Sequence, residues 1–259
     1  VPAAANAQVL VEVAVDSVAG ARAAAAGGAQ RLELCAALEL GGLTPSIGLL
    51  EQVRAAVALP VFAMVRPRAG DFLYDAGEFA AMLRDVGALR SAGAAGIVSG
   101  ALRADGSIDG DRMRELKLAT GAAAFTCHRA FDLCADAAAA LEVLVDLGVP
   151  RVLTSGQAAS APAGASAIHA LVQQARDRLL VMAGAGVRPD NVAALVAATG
   201  VREVHLSATR WRPSAMAFRR AGVPMGAAAG AGGGGEDVVR ATDGEVVAQV
   251  VRAVRGDGR

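Results

Sequence analysis

One local pattern recurs four times along the chain, and it constrains the fold more than any other feature. It occurs at Gly27-Gly28-Ala29-Gln30-Arg31-Leu32-Glu33-Leu34, Gly93-Ala94-Ala95-Gly96-Ile97-Val98, Gly148-Val149-Pro150-Arg151-Val152-Leu153 and Gly200-Val201-Arg202-Glu203-Val204-His205-Leu206. Each copy follows an Ala-rich amphipathic run and leads into short branched aliphatics. Glycine closes a helix cheaply in the left-handed conformation, and a strand begins shortly after. This is the helix-to-strand junction of a βα repeat.

Four more strands fill the gaps, at 9–15, 60–65, 123–128 and 179–183, with helices expected over 45–57, 109–120 and 165–176. The apolar runs do not alternate cleanly, as expected of parallel strands buried on both faces. Eight strand–helix units in 259 residues predict an α/β fold, a single-domain (β/α)8 TIM-type barrel over 1–259. A doubly wound open sheet fits less well, because the G-x-G-x-x-G signature is missing after the first strand. Near the C-terminus the rhythm stops. Residues 227–235 are Ala/Gly low complexity and read as a mobile loop. Beyond them Asp243 is expected to cap a last helix whose Val246, Val247, Val250 and Val251 form one apolar face.

Composition excludes several partners. The 25 basic and 25 acidic residues cancel, so there is no basic surplus for nucleic acid or an anionic membrane. No apolar run approaches the roughly 18 residues of a membrane helix. Cys35, Cys127 and Cys134 are an odd, sparse set that suits a reducing compartment. Residues 1–7 carry no basic segment and no long apolar core of a secretory signal, so a cytoplasmic location is expected.

Barrel chemistry sits at the C-terminal ends of the strands, and several strand positions here are polar where packing alone would choose apolar residues. Glu12 interrupts Val9-Leu10-Val11, Glu33 lies between Leu32 and Leu34, and Arg66 ends the third strand. Thr126 and His128 end the fifth, and His205 and Ser207 end the eighth. Charges taken from water cost several kcal/mol unless they are paired. A Glu12–Arg66 ion pair and two hydrogen-bonded core histidines would be the plain structural explanation. Five such groups at one end of different strands favour a functional site. Glu33 and Cys35 share a face by period 2, Cys127 has the opposite parity to His128, and Cys134 falls in the following loop or helix.

Loops add further candidates. Gly184-Ala185-Gly186 after strand seven, and Ser207 after strand eight, lie where barrels commonly bind phosphate. Arg66, Arg68 and Asp71 share a long loop; the arginines would suit an anion, and a solvated Arg–Asp pair is the alternative. Thr44 is expected to cap a helix that Pro45 starts.

At these residues the sequence resembles the CutC family, the copper homeostasis proteins. The marks are Val11-Glu12-Val13, Val15-Asp16-Ser17, Arg31-Leu32-Glu33-Leu34-Cys35, Gly41-Gly42-Leu43-Thr44-Pro45-Ser46 and Met64-Val65-Arg66-Pro67-Arg68. They continue through Gly70-Asp71-Phe72-Leu73-Tyr74, Phe125-Thr126, His128-Arg129-Ala130-Phe131-Asp132, Leu153-Thr154-Ser155-Gly156, His205, Ser207 and Ala208. The resemblance implies a cytoplasmic TIM-type barrel, often oligomeric, associated with copper tolerance and Cu(I) binding. Its copper ligands are two cysteines near the ends of the first two strands. Cys35 matches the second, while Ala14 stands where the first would be. The family's Arg after Ser-Ala is Thr209 here, and its triple glycine is Gly184-Ala185-Gly186.

Two functions follow. In the first, the protein handles copper, with Cys35 as the metal ligand. Cu(I) prefers thiolate and thioether donors, so the loss of one thiol weighs against it. In the second, the barrel is an enzyme on a small anionic metabolite, phosphorylated or not. Glu33 or His128 would be the base, His205 the acid, and Arg66 and Arg68 the anion-binding groups with Gly184, Gly186 and Ser207. Glu12, Thr126 and Asp71 complete the expected mouth. A homo-oligomer is expected, with Trp211, Met216 and Phe218 as candidate contacts.

Overall fold

The computed structural model describes residues 9–220, 223 and 237–256. Segments 1–7 and 227–235, singled out above, lie outside the described residues. Eight parallel strands close into a barrel in sequence order: β1 Leu10–Val15, β2 Arg31–Leu34, β3 Val61–Met64, β4 Gly96–Ser99, β5 Ala124–Cys127, β6 Arg151–Thr154, β7 Leu180–Ala183 and β8 Glu203–Leu206. The helices between and after them are α1 Val18–Ala26, α2 Ile47–Ala56, α3 Ala76–Ser91, α4 Gly110–Thr120, α5 Ala137–Asp146, α6 Ala165–Ala175, α7 Val192–Thr199 and, after the barrel closes, α8 Gly244–Arg255. The (β/α)8 expectation holds.

Side-chain parity divides the interior in two. Val11, Val13, Val15, Leu32, Leu34, Ile97, Phe125, Cys127 and Val204 point outward into the main apolar core under the helices. Cys127 is therefore a small core residue, as its parity required. Cys35, Phe62, Met64 and Val98 form a smaller cluster of their own inside the barrel. Phe62 fills the centre so completely that a Cβ on Gly96, on the adjacent strand, would lie 2.7 Å from its ring.

Most helix starts follow local rules. Asp75 and Glu78 form a reciprocal capping box on α3, and Asp109 and Asp136 cap α4 and α5. Asp243 caps α8 and Val247, Val250 and Val251 are buried, as the sequence implied. Thr44 does not cap α2; Ser46 does, accepting from the Leu49 N–H. Thr44 Oγ1 is occupied instead by the Arg66 N–H at 3.0 Å, which ties the second loop to the end of β3. Beyond the barrel an antiparallel hairpin pairs β9 Thr209–Pro213 with β10 Val238–Thr242.

Candidate active site

The barrel floor is a closed charge network. Glu12 on β1 is fully buried and bonds Arg31 of β2. Arg31 also bonds Glu203 of β8, and Glu203 holds Arg151 of β6 at 2.6 Å. Both guanidiniums lie over Phe62, with Cζ 4.9 and 5.6 Å from its centroid. Arg31 takes the partner the sequence suggested for Arg66: no Glu12–Arg66 pair forms, because Arg66 sits at the opposite, loop end of its strand.

His205 rises from this floor. Its Nδ1 lies 2.8 Å from Glu12 Oε1, and its Nε2 lies 3.8 Å from Glu33 Oε2. Burial alone would lower the His205 pKa, but the two carboxylates outweigh it and hold the pKa above the ordinary value. Glu12 is raised by burial and lowered more by His205 and Arg31, to about 2. Burial raises Glu33; the His205 charge opposes this and the Glu12 charge adds to it, leaving the pKa above the usual carboxylate range.

Above lies a cavity of about 810 Å³, lined among others by Ala14, Glu33, Arg66, His128, Gly186 and His205. Three polar atoms on cavity-lining residues are buried without a hydrogen-bond partner: Glu33 Oε1, Arg66 Nε and His128 Nε2. Arg66 is fixed by its other nitrogens, Nη1 donating to the Leu40 carbonyl and Nη2 to the Gly70 carbonyl, both at 2.9 Å. His128 Nδ1 accepts from the Ala130 N–H at 3.2 Å, so the neutral ring carries its proton on Nε2. Burial and the nearby Arg66 charge push the His128 pKa down to about 3. Phe72 packs against both, 4.8 Å from the Arg66 guanidinium and 4.9 Å from the His128 ring.

The structure sorts the sequence candidates. Glu33, Arg66, His128 and His205 line one cavity together with Ser207 and Gly186, while Glu12 lies in the floor beneath them, bonded to His205. The unpartnered His128 nitrogen is Nε2, the one that carries the proton in the neutral ring. Gly184 is not in the lining; it makes room for Leu153 and His205, and a Cβ would lie 2.5 Å from Leu153 Cδ1. Arg68 and Asp71 pair with each other at 2.9 Å on the surface, Arg68 also binds Glu78, and neither is in the cavity lining. Thr126 is buried among the floor groups, 3.4 Å from Arg151 Nη1. Cys35 is fully buried, 3.4 Å from Glu33 Oε2, and burial with the Glu33 charge pushes its thiol well above the ordinary pKa.

Glu12, Glu33 and His205 place donor atoms within 4.8 Å of one another, a spacing a cation could use. Both Glu12 oxygens are already engaged, by Arg31 and by His205 Nδ1. Glu12 would therefore offer a cation only oxygens that already hold Arg31 and His205.

The CutC family model matches residues 9–210. A CutC family protein of Klebsiella pneumoniae (strain 342) is 53% identical over 218 residues, spanning 84% of this chain and 87% of the relative. The chain belongs to the CutC family. Another family protein, from Vibrio vulnificus (strain YJ016), is 50% identical over 223 residues, covering 84% of this chain and 88% of its own. The solved structure of CutC from Streptococcus agalactiae, a protein named for copper homeostasis, matches with a TM-score of 0.73 at 29% identity, over 76% of this chain and 97% of that one. Thiamine phosphate pyrophosphorylase from Pyrococcus furiosus, at 13% identity and a TM-score of 0.57 over 98% of both chains, shares the fold alone. Within this CutC-family barrel the hairpin of β9 and β10 lies almost wholly beyond the matched segment.

Proposed function

We propose that this CutC-family barrel binds a small anionic metabolite at its C-terminal mouth and moves a proton on it. The observation that carries the reading is the set of three buried, unpartnered polar atoms on three different strand ends around one cavity. Native proteins rarely leave such groups unsatisfied without a ligand or water to meet them. Arg66 supplies a fixed positive charge, His128 a neutral donor, and Glu33 with His205 a carboxyl–imidazole pair for acid–base work. The test is calorimetric titration of the full chain with inorganic phosphate, phosphoglycolate and glycolate. At least one anion binds the wild type, and Arg66→Met abolishes that binding. Absence of anion binding to the wild type refutes the reading.

A second reading, copper handling, is favoured by one observation. A Cβ on Gly42 would lie 3.0 Å from Cys35 Sγ and 3.4 Å from Met64 Cε, so a thiol and a thioether pack side by side under that turn. These are the soft donors Cu(I) selects. With Ala14 on β1 the site offers one thiol, so the copper it takes as cargo would rest on Cys35, Met64 and a harder group. Competition against a Cu(I) chelator tests this: the wild type binds one equivalent and Cys35→Ala binds none. Equal binding by both proteins excludes Cys35 as ligand. The three buried, unpaired cysteines support a reducing, cytoplasmic setting. Exposed Trp211, Met216 and Phe218 support self-association, which sedimentation of the full chain measures.

A further inference from the structure

We infer that the mouth is built to enolise a hydroxycarbonyl compound that ends in a phosphate: Glu33 takes the proton beside the carbonyl, Arg66 Nε–H and His128 Nε2–H hold the oxygens, and the loops after β7 and β8 hold the phosphate. The inference rests on the anion-binding reading and names its substrate class and reaction.

Three features lead to it. The cavity presents two donors that have no acceptor, on Arg66 and His128, so the ligand must bring at least two acceptor oxygens to that side. Both donors are locked: Arg66 by backbone carbonyls, and His128 by the Ala130 N–H that fixes its tautomer. A neutral imidazole N–H polarises a carbonyl without giving up its proton, which suits an enediolate better than a full proton transfer. The unpartnered acceptor in the same cavity is Glu33 Oε1, the group a carbon acid needs.

The far end of the ligand meets a different surface. Gly186, Ser207 and Ala208 line the cavity from the seventh and eighth loops, and their N–H groups donate to nothing among the described residues. Ala185 and Ala208 hold φ of +75° and +43°, conformations that non-glycine residues rarely adopt. Both residues are themselves in the cavity lining, so these turns lie at its wall. Arg188 lines it as well, paired at 3.3 Å with Asp190, which shares the lining. Phosphate, with several acceptor oxygens, fits such a row of amides.

The step balances without a co-reactant. The Glu33 carboxylate removes the proton from the hydroxyl-bearing carbon. That C–H pair becomes the new C=C bond, and the carbonyl π pair moves onto the oxygen held by the two N–H groups. Glu33 returns the proton to the former carbonyl carbon as the hydroxyl proton passes to the other oxygen, giving the isomeric hydroxycarbonyl.

Two readouts on the full chain test it. In deuterium oxide, proton NMR follows wash-in beside the carbonyl of three- to six-carbon hydroxyaldehyde and hydroxyketone phosphates. Calorimetry compares phosphoglycolohydroxamate, a planar enediolate mimic, with phosphoglycolate. Wash-in occurs with at least one compound, falls about 100-fold or more in Glu33→Gln, and the mimic binds about 100-fold tighter than phosphoglycolate. His128→Phe, which keeps a ring against Phe72, erases that preference. If phosphoglycolate binds but no compound exchanges and the mimic is no tighter, the enolisation inference is overturned while the anion site stands. If no anion binds, both fall.

Discussion

His205 Nδ1 sits 2.8 Å from Glu12 Oε1, and this contact links the barrel floor to the cavity above it. Glu12 is fully buried and is also bonded to Arg31, so it holds two cationic groups with one charge. Removing that charge leaves Arg31 short of a partner in a dry interior. Glu12→Gln is expected to lose about 3–5 kcal/mol, the usual cost of breaking a buried pair. Denaturant unfolding measures this, and a loss below about 1 kcal/mol contradicts a structural role for the pair. The same substitution lowers the His205 pKa, because one of the two carboxylates that raise it is gone.

Stability against pH follows from three groups with known directions. Glu12 is lowered from 4.5 to about 2, so its contribution is full above 4.5 and is lost as pH falls toward 2. His128 is lowered from 6.5 to about 3; the unfolded chain takes up its proton first, so stability falls as pH drops from 6.5 toward 3. His205 is raised from 6.5 and acts oppositely: its contribution is full below 6.5 and is lost as pH rises through its folded value. The denaturant midpoint should therefore begin to fall below pH 6.5 from His128 and fall further below 4.5 from Glu12. NMR separates the two histidines: His128 stays neutral at pH 5, between its folded and free values, while His205 is already protonated. A His128 titration near 6.5 contradicts the buried neutral ring.

The barrel was legible because four helix-to-strand junctions carry a glycine followed by an aliphatic run, and the remaining strands fall as apolar runs in the gaps between them. Strand bounds shift inward by one residue, since Val9, Pro60, Val65 and His128 lie beyond the paired ladder. The hairpin of β9 and β10 left no such mark: Thr209–Pro213 is exposed throughout and shows no buried alternation. In the site, the charges at Glu12, Glu33, Arg66, His128 and His205 stood out against aliphatic neighbours. Arg31, Arg151 and Glu203 did not, because they fall at junctions where a polar residue looks like solvated loop. Period 2 could have found Arg31, two residues before Glu33 and on its face. Arg68 and Asp71 misled for the converse reason: a basic loop looks alike whether it faces a cavity or pairs outward, and here Glu78 draws Arg68 away.

Two glycines separate packing from propensity. Gly87 lies inside α3, and a Cβ there would meet nothing within 4 Å. Gly87→Ala should add about 0.5–1 kcal/mol, because alanine has less freedom to lose in a helix. At Gly164, which precedes α6, a Cβ would lie 1.9 Å from the Ser155 carbonyl oxygen. Backbone cannot swing aside as a side chain can, so Gly164→Ala should cost about 1–3 kcal/mol. Thermal unfolding of both variants checks the pair, and a stabilised Gly164→Ala contradicts the close approach.

The thiols give a last prediction. Cys35, Cys127 and Cys134 are buried and free. Burial raises all three, and the charges of Glu33 and Asp132 raise Cys35 and Cys134 further, Cys134 to about 11. Thiolate is the reactive form, so each is doubly protected, by access and by protonation. With a disulfide reagent at pH 7 the native chain should release almost no thiol signal, while the chain in denaturant releases three equivalents. Cys35 carries the discriminating weight, since its S–H lies 3.4 Å from Glu33 Oε2 at the edge of the cavity. If the mouth opened to solvent on that side, Cys35 would react first and alone. Peptide mapping that finds Cys35 modified in the native chain would therefore overturn its buried, protonated state, whereas uniform protection supports it.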